Sequence, residues 1–384
     1  MKKNTVLVDL LAYTEKKGGT DVYIKNLYKN ISGLDFNCNF LGFANHESRK
    51  LDMSWFPGEI FYSNTKSENR LSWSIGEIIS LPLFARRIKP VLIHCPANFG
   101  PLYTSCPTLL TVHDSLYWSN SVLAPNGLLV PAVRFLQKHA IHNAKKIITS
   151  TRYSANEISK IHGVELSDIS VIYLAAIENS CSDPVDISYS NYLLAGGNRF
   201  KHKNRDGLLK GLKLINPSIR PKTIITGGRS PDPLVEMVNS MGLEKDVVLL
   251  DWVPEAEMNS LYFNALAVIV PSHTESYLPM LQALNFGKPL LISEIPPHKE
   301  IAGEKAFYFD SNSPTSIADA ILSYLKVSKA MSGESQKELS VKDNYSWKNT
   351  AIQTLSLMKS IINWAKIELK LVLIRAKVLS YKSV

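Results

Sequence analysis

The chain has few cysteines, and they follow no pattern. Four cysteines are scattered over 384 residues. None of them stands in a C-x-x-C pair or beside histidines at the spacing of a zinc site. This argues against a zinc module and against a disulfide framework, and it favours buried or free thiols in a reducing compartment.

Long hydrophobic runs are also missing. A membrane-spanning helix needs about 18 or more consecutive apolar residues, and no stretch of the sequence provides them. The chain begins with lysines, as signal peptides do, but Asp9 interrupts the apolar run that follows. We therefore interpret residues 5–10 as a first strand and expect a cytoplasmic protein.

Two short motifs of nucleotide-binding enzymes are absent. No G-x-G-x-x-G follows the first strand, which counts against a dinucleotide-binding fold. The sequence contains no D-x-D motif, so it does not support binding of a diphosphate through a metal ion. We expect neither a metal nor a cofactor.

The sequence does offer positive charge and enough length for two domains. It has 43 Lys+Arg against 34 Asp+Glu, a net charge of +9, and 45% hydrophobic residues. This size predicts two domains, each with its own core. The charge favours phosphates, nucleotides or an anionic membrane. We do not expect nucleic acid as a partner, because the cations are not interleaved with aromatics as in a nucleic-acid module.

Short apolar runs alternate with amphipathic helical patterns along most of the chain. This alternation predicts parallel sheets covered by helices. Residues 176–190 are polar and irregular, which is typical of a linker. The predicted fold class is α/β, with two Rossmann-like doubly wound domains at 1–178 and 190–344 and a C-terminal segment at 345–384.

The most informative stretch is residues 268–310. A short β-rich run ends in a polar loop that contains Glu275, and a helical pattern follows with Pro279 as its expected first residue. Such a loop and helix N-terminus lie at the carboxyl end of a sheet, where open α/β sheets bind ligands. The helix N-terminus suits a phosphate, Glu275 suits vicinal hydroxyls, and Gln282 on the same helix face suits a ribose. These residues predict a sugar-phosphate site.

Polar residues follow two other predicted strands. His113 and Asp114 come after the run LLTV, where a role in a site and a role as packed ring and helix cap are equally consistent. Arg199 and Lys203 lie between the glycine turn ending at Gly197 and a helix start. A diphosphate would lie there; a solvated cation cluster is the alternative.

These motifs resemble those of a known family. The segment PSHTESYLPMLQALNFGKPLLIS resembles the donor-site signature of the family-4 retaining glycosyltransferases of the GT-B fold, and GGNRFKHKN resembles their phosphate-binding element. The resemblance extends over nearly the whole chain. It departs from the family pattern twice, in a loop one residue short before Leu278 and in Gln282 where a second glutamate is usual. It implies a GT-B arrangement of two domains facing a central cleft, with the acceptor on the N-terminal domain.

The resemblance also implies roles for the residues that match the family's motifs. Glu275, His113, Arg199 and Lys203 would be catalytic, and Asp114 would position the acceptor or the sugar. The donor-binding residues would be Gly18, Gly19, Gly197, Val253, Ser276, Tyr277, Leu278 and Gln282.

The implied activity is transfer of a hexose, mannose as the first choice, from a GDP- or UDP-sugar with retention and without a metal. The acceptor would be a hydroxyl of a glycan or lipid-linked glycan in the synthesis of surface polysaccharide such as O-antigen. Gln282 and the short loop also fit an inactive GT-B subunit that binds the donor or partners an active transferase. A nucleotide-sugar epimerase is a third possibility, but it would need acid/base carboxylates besides Glu275 and Asp114.

Two helical patterns carry basic residues. Residues 361–384 hold five cations against one acid and two apolar stripes, which predicts a helix lying on an anionic membrane, at the inner face of the plasma membrane. Packing against the protein or a partner helix is the alternative. Residues 75–89 predict a helix kinked at Pro82. Its C-terminal cations, Arg86, Arg87 and Lys89, complement the helix dipole or contact anionic lipid.

Overall fold

The architecture comes from a computed structural model of the chain. It describes residues 4–15, 18–118, 130–177, 189–228, 230–304, 306–330 and 345–381. The described residues form two compact units. Unit 1 holds those numbered below 120, from 130 to 173 and from 347 onward, and unit 2 holds those from 174 to 346. Most of the predicted linker, residues 176–190, lies outside the described residues.

Unit 1 contains a parallel sheet of seven strands in the order β3-β2-β1-β4-β5-β6-β7. The strands are β1 Asn4–Leu10, β2 Cys38–Ala44, β3 Gly58–Tyr62, β4 Leu92–Cys95, β5 Thr108–Thr111, β6 Lys146–Thr149 and β7 Ile169–Val171. Strands β4 and β5 are buried along their whole length, as expected for parallel strands with helices on both faces.

Helices connect the strands of unit 1 and cover the sheet. They are α1 Gly19–Ile31, α2 Arg70–Ile75, α3 Leu81–Ile88, α4 Val130–Asn143 and α5 Arg152–His162. Their inward residues, such as Leu81, Ala140 and Ile158, join Leu7, Ile93 and other strand residues in one core.

The helix predicted at residues 75–89 differs in detail from the prediction. It begins earlier, at Arg70, and a π-helical turn at Gly76–Ser80 joins α2 to α3. Pro82 is the second residue of α3 and follows helical backbone at Ser80 and Leu81, so it can donate no hydrogen bond to the turn before it. The irregularity lies in the π turn that precedes the proline, and a kink at Pro82 stays a prediction.

Unit 2 contains a parallel sheet of six strands in the order β10-β9-β8-β11-β12-β13. The strands are β8 Tyr192–Ala195, β9 Lys222–Ile225, β10 Val247–Leu249, β11 Ala267–Val270, β12 Leu290–Ser293 and β13 Ala306–Phe309. The helices are α6 Arg205–Leu214, α7 Pro233–Met241, α8 Glu255–Asn264, α9 Tyr277–Asn285, α10 Pro296–Ala302 and α11 Pro314–Ala330. Leucines of α6 and Ile317 and Ile321 of α11 pack with β8, β9 and β11 in the core of this unit.

In each sheet the strand order reverses at one place. In unit 1 the order reverses between β1 and β4, and in unit 2 between β8 and β11. At such a switch point the connections on either side leave in opposite directions, and a crevice opens at the carboxyl ends of the two strands. The fold therefore places the loop after β8 beside the loop after β11.

The C-terminal segment of the described chain is one long helix, α12 Trp347–Tyr381. It belongs to unit 1 and packs on α1 through buried residues such as Trp347, Ala351, Leu355 and Met358. Among the described residues no helix has the length and apolarity that crossing a membrane requires.

Candidate functional site

The loops after β8 and β11 are joined at the switch point of unit 2. The backbone N–H of His273 donates to the carbonyl oxygen of His202 at 2.8 Å, and the hydroxyl of Ser272 donates to the same oxygen at 3.0 Å. His202 lies in the single 3₁₀ turn Lys201–Lys203 before α6. The two loops that the sequence selected separately therefore form one surface.

Lys203 reaches the start of α9. Its Nζ donates to the backbone oxygen of Glu275 and to Oγ of Ser276, both at 3.1 Å. Ser276 is the residue before the helix, and α9 starts at Tyr277 and Leu278. The structure thus brings together a lysine ammonium, a half-buried glutamate and a helix N-terminus, as the sequence predicted for Lys203, Glu275 and Ser276.

The predicted start of this helix at Pro279 is two residues late. Pro279 is the third residue of α9. The first residues of a helix have no intrahelical acceptor for their N–H groups, so a proline fits there as well as at the first position.

Arg199 is held by the end of the sheet in unit 2. Its guanidinium pairs with Asp232 and donates to three backbone oxygens, those of Ile225, Thr226 and Leu250. The side chain is only 7% exposed. Its donors hold the ends of β9 and β10 together, and the role of Arg199 at a diphosphate stays a prediction.

Arg205 takes a position at the glycine turn that the sequence reading gave to Arg199. The residue is buried, and one terminal nitrogen donates to the backbone oxygen of Gly196 at 2.6 Å. Its Nε is buried without a hydrogen-bond partner among the described residues. Burial, and next the like charge of Arg199, lowers the pKa of Arg205 to about 10, so the guanidinium keeps its charge at neutral pH. Its place next to Asn204, at the start of α6, is the signal in the sequence that could have found it.

Backbone contacts fix the glycine turn. The N–H of Gly197 donates to Oγ1 of Thr226 at 3.2 Å. Gly227 has φ +78°, and a Cβ there would lie 2.3 Å from the backbone oxygen of Gly197. Gly227 also donates to the carbonyl oxygen of Asp251, two residues before Val253, which lies in the loop between β10 and α8. Gly197 and the loop of Val253 are thus linked through the end of β9.

Gln282 is a structural residue in this unit. Its Oε1 accepts from the backbone N–H of Ile177 at 2.9 Å, and its Nε2 donates to Oδ1 of Asn259 at 3.1 Å. The residue is 5% exposed. Because both ends of the amide are engaged in the interior of unit 2, the predicted role at a ribose is not supported by its position.

His113 lies at the carboxyl edge of the sheet in unit 1, directly after β5. Its Nε2 contacts the carbonyl oxygen of Pro96 at 2.9 Å, and a carbonyl only accepts, so Nε2 carries the proton and Nδ1 has the lone pair. Burial lowers the pKa of His113 below its usual value, which keeps the ring neutral. The edge of the ring meets Tyr23 of α1 at 4.8 Å between centroids.

Asp114 behaves as a cap. Its Oδ1 accepts from the N–H of Leu116 at 3.1 Å and starts the short 3₁₀ turn Leu116–Trp118. The structure therefore shows the capping role, and a role of Asp114 in positioning the acceptor or the sugar stays a prediction. Gly18 precedes α1 and Gly19 is its first residue, and Gly18 has φ +65°, a conformation that glycine adopts without strain; their role in donor binding stays a prediction.

Comparison with known proteins identifies two matching families. Residues 17–175 match the model described as Glycosyltransferase Family 4, and residues 186–340 match the one described as Glycosyl transferases group 1. The first match covers most of the sheet of unit 1, and the second covers the switch point of unit 2.

Two curated relatives and one solved structure are similar over most of the chain. The O-antigen chain mannosyltransferase RfbU of Salmonella typhimurium (strain LT2) is 28% identical over 70% of this chain and 76% of its own length. The O-antigen chain mannosyltransferase B of Escherichia coli is 26% identical over 71% of this chain and 75% of its own. A sucrose-phosphate synthase from Thermosynechococcus elongatus superimposes with a TM-score of 0.74 at 15% identity, covering 94% of this chain and 99% of that one.

Proposed function

The chain belongs to the family-4-type glycosyltransferases of the GT-B fold, and from this premise we propose that it transfers a hexose, mannose as the first choice, from a nucleoside diphosphate sugar. The acceptor is a hydroxyl of a glycan or lipid-linked glycan in surface-polysaccharide synthesis. The names of the two O-antigen mannosyltransferase relatives support mannose and this acceptor class. The contact of Lys203 with the Glu275–Ser276 loop carries the proposal, because it assembles a site for a sugar phosphate.

The diphosphate of the donor lies between the 3₁₀ turn Lys201–Lys203 and the N-terminus of α9. The ammonium of Lys203 and the positive end of the helix dipole both favour a phosphate there. The buried charge of Arg205, held under Gly196, adds to the same field at short range, since low dielectric strengthens it. Neighbouring loops are held by backbone bonds, so the donors are in place before the substrate arrives.

Leaving-group stabilisation is the main catalytic contribution of this unit. Negative charge grows on the diphosphate as the bond to the anomeric carbon lengthens, and fixed charges meet it without reorganisation. We propose that Lys203, Arg205 and α9 supply this stabilisation, so that transfer needs neither a metal nor a cofactor. Glu275 accepts hydrogen bonds from the sugar hydroxyls.

The reaction proceeds with retention by front-face transfer. A double displacement needs a carboxylate at the anomeric carbon. The carboxylate of Asp114, the one candidate from the sequence, accepts from a backbone N–H instead. In the proposed path a departing phosphate oxygen takes the proton of the acceptor hydroxyl. His113, neutral and with its Nδ1 lone pair available for a hydrogen bond, positions the sugar or the acceptor.

Part of α12 contacts an anionic membrane at the inner face of the plasma membrane. Ile362 of one predicted stripe is buried, whereas Ile367 and Leu371 of the second stripe are exposed beside Lys366 and Lys370. A helix with an inner apolar face for packing and a basic, apolar outer face suits an interfacial position. Residues 382–384 lie outside the described part of the chain.

Donor binding and turnover test the proposal together. Purified protein is mixed with GDP-mannose, UDP-glucose and UDP-galactose, and thermal unfolding and slow hydrolysis of the sugar phosphate are measured. At one hundred times its dissociation constant the true donor stabilises the protein by about 2.7 kcal/mol. Glu275→Gln lowers turnover by about a hundredfold or more, whereas Glu257→Gln, an exposed residue of α8, leaves it unchanged. No stabilisation and no hydrolysis with any nucleotide sugar would sink the proposal, and an inverted product linkage would refute retention alone.

A further inference from the structure

The helical segment 70–88 of unit 1 carries a row of exposed aliphatic residues. Leu71, Ile75, Ile79 and Leu83 are 68%, 45%, 50% and 60% exposed. Large aliphatic side chains scattered singly on a surface are ordinary, but four of them at a constant spacing of four residues form a continuous stripe. We refer to these four residues as the outer row.

The π turn helps to keep the outer row on one face. Four residues of an α-helix overshoot a full turn of 3.6 residues, so a row at this spacing drifts around the helix. The π turn Gly76–Ser80 closes through i→i+5 bonds. Its wider turn takes back part of that drift between Ile75 and Ile79. The result is an apolar strip about 18 Å long from Leu71 to Leu83.

Folding does not account for the outer row. The opposite face of the same segment already packs on the sheet, where Leu81 and Ala85 are buried in the core and Trp73, Phe84 and Ile88 pack against it. One apolar face is enough to attach a surface helix to its domain. The outer row is therefore a second apolar face that the fold of unit 1 does not use.

Basic residues stand at both ends of the outer row. Arg70 begins the segment, and Arg86, Arg87 and Lys89 lie at its end, all four exposed. The one acid among residues 70–89, Glu77, is buried on the inner side. An apolar strip between exposed cations complements an anionic lipid surface, where apolar side chains enter the acyl boundary and cations meet the headgroups. A second copy of this chain is a poor occupant, because it would bring like charges together.

We propose that the outer row and its flanking cations dock unit 1 on an anionic lipid bilayer. The proposal rests on the proposed function only in that a lipid-linked acceptor is presented at the same membrane. It names a docking surface separate in sequence from residues 361–384, which adds to the contact proposed for α12.

Co-sedimentation of the full chain with vesicles tests the docking surface. The vesicles consist of phosphatidylcholine alone or of phosphatidylcholine mixed with phosphatidylglycerol. The double variant Ile79→Asn/Leu83→Asn lowers the partition coefficient on the mixed vesicles by about tenfold or more, because burial of such side chains is lost. Arg86→Gln/Arg87→Gln lowers it by about fivefold for each arginine, and added salt reduces the difference.

Matched controls separate docking from general surface effects. Leu166→Asn removes an aliphatic side chain that is 52% exposed elsewhere in unit 1, and Lys160→Gln/Lys348→Gln removes two exposed cations of the same unit. These variants bind vesicles as the parent chain does. Unfolding temperature and nucleotide-sugar hydrolysis without vesicles stay unchanged in all four proteins, so a failure of docking is distinguishable from a failure of the proposed function.

Three outcomes would overturn the docking proposal. Unchanged binding by the outer-row variant would assign the membrane contact elsewhere, for example to residues 361–384. Equal binding of the parent chain to both kinds of vesicle would remove the role of the cations. A change of oligomeric state by the outer-row variant, without a change in vesicle binding, would show that the row contacts a second copy of the chain.

Discussion

Removing the guanidinium of Arg199 is expected to damage the fold of unit 2 much more than its affinity for a donor. In Arg199→Met the side chain of Asp232, which is 8% exposed, loses its ion-pair partner. Three carbonyl oxygens at the ends of β9 and β10 lose a donor as well. Breaking a buried ion pair from one side costs about 3–5 kcal/mol. The lower end applies here, because Asp232 also accepts from the N–H of Leu234 and keeps that bond.

Thermal unfolding followed by circular dichroism measures the effect. A loss of about 3 kcal/mol lowers the unfolding temperature of a unit of this size by roughly 6–12 °C. Lys210→Met is the matched control, since Lys210 pairs with Asp206 on the surface with both side chains about half exposed. Such a pair contributes at most about 1 kcal/mol, so this control unfolds close to the parent chain.

Lys203→Met distinguishes the role of Lys203 in donor binding from the role of Arg199 in the stability of unit 2. It loses two hydrogen bonds, to Glu275 and Ser276, and is expected to destabilise by only about 1–2 kcal/mol. Stabilisation by the cognate nucleotide sugar, about 2.7 kcal/mol in the parent at one hundred times the dissociation constant, is largely lost in Lys203→Met and kept in Arg199→Met. An Arg199→Met protein that unfolds like the parent but no longer responds to the nucleotide sugar would refute the assignment of Arg199 to the fold.

Three further predictions concern buried polar groups. Gln282→Glu is expected to destabilise unit 2 by about 1–3 kcal/mol without raising turnover, since a carboxylate would replace a buried amide that donates to Asn259. Urea unfolding measures the stability and hydrolysis of the nucleotide sugar measures the turnover. Higher turnover would instead favour the inactive-subunit hypothesis. Asp114→Ala removes the hydrogen bond that caps the N–H of Leu116 and is expected to lower the free energy of unfolding by about 1 kcal/mol. The rate of sugar transfer is expected to stay within a few-fold of the parent rate. Loss of transfer at unchanged stability would instead support a role of Asp114 in the site. Burial lowers the pKa of His94 to about 3, below its value in the unfolded chain. Its contribution to stability is therefore present above about pH 6.5 and is lost as the pH falls, by about 2 kcal/mol at pH 5. Urea unfolding of the parent chain and of His94→Gln above pH 6.5 and at pH 5 measures this loss, and equal losses in the two proteins would contradict the prediction.

The buried strands could be predicted from the sequence, and so could the place of the site. Residues 268–270 and the run before Gly196 are continuous apolar segments followed at once by polar loops. In a parallel sheet such loops all emerge at one edge. Local sequence therefore placed Glu275, Ser276 and Lys203 at the carboxyl edge of one sheet, and the strand order of unit 2 then made their two loops neighbours.

The direction of individual side chains could not be predicted in the same way. Arg199 and Arg205 stand on either side of the turn Lys201–Lys203, and the sequence pattern favours Arg199 over Arg205 for a phosphate. Which of them is held elsewhere depends on Asp232 and on the ends of β9 and β10, all distant in the chain. Gln282 is a similar case, since its partners Ile177 and Asn259 come from other elements.

The π turn was missed for another reason. Residues 70–88 keep an apolar residue every four positions, which agrees with an ordinary amphipathic helix. The extra residue of a π turn shows itself only in the hydrogen-bond pattern. Pro82 was a more visible interruption, and so the kink was assigned to it.

The carbonyl oxygen of His202 has a consequence for motion. It accepts hydrogen bonds from the amide of His273 and the hydroxyl of Ser272. Separation of the loop after β8 from the loop after β11 therefore breaks both bonds together. Exchange of the His273 amide with deuterium then requires both loops to part, and it reports a single opening event for the pair. These two loops are then ordered before the substrate binds, so binding does not have to offset the loss of conformational entropy that ordering them would cause.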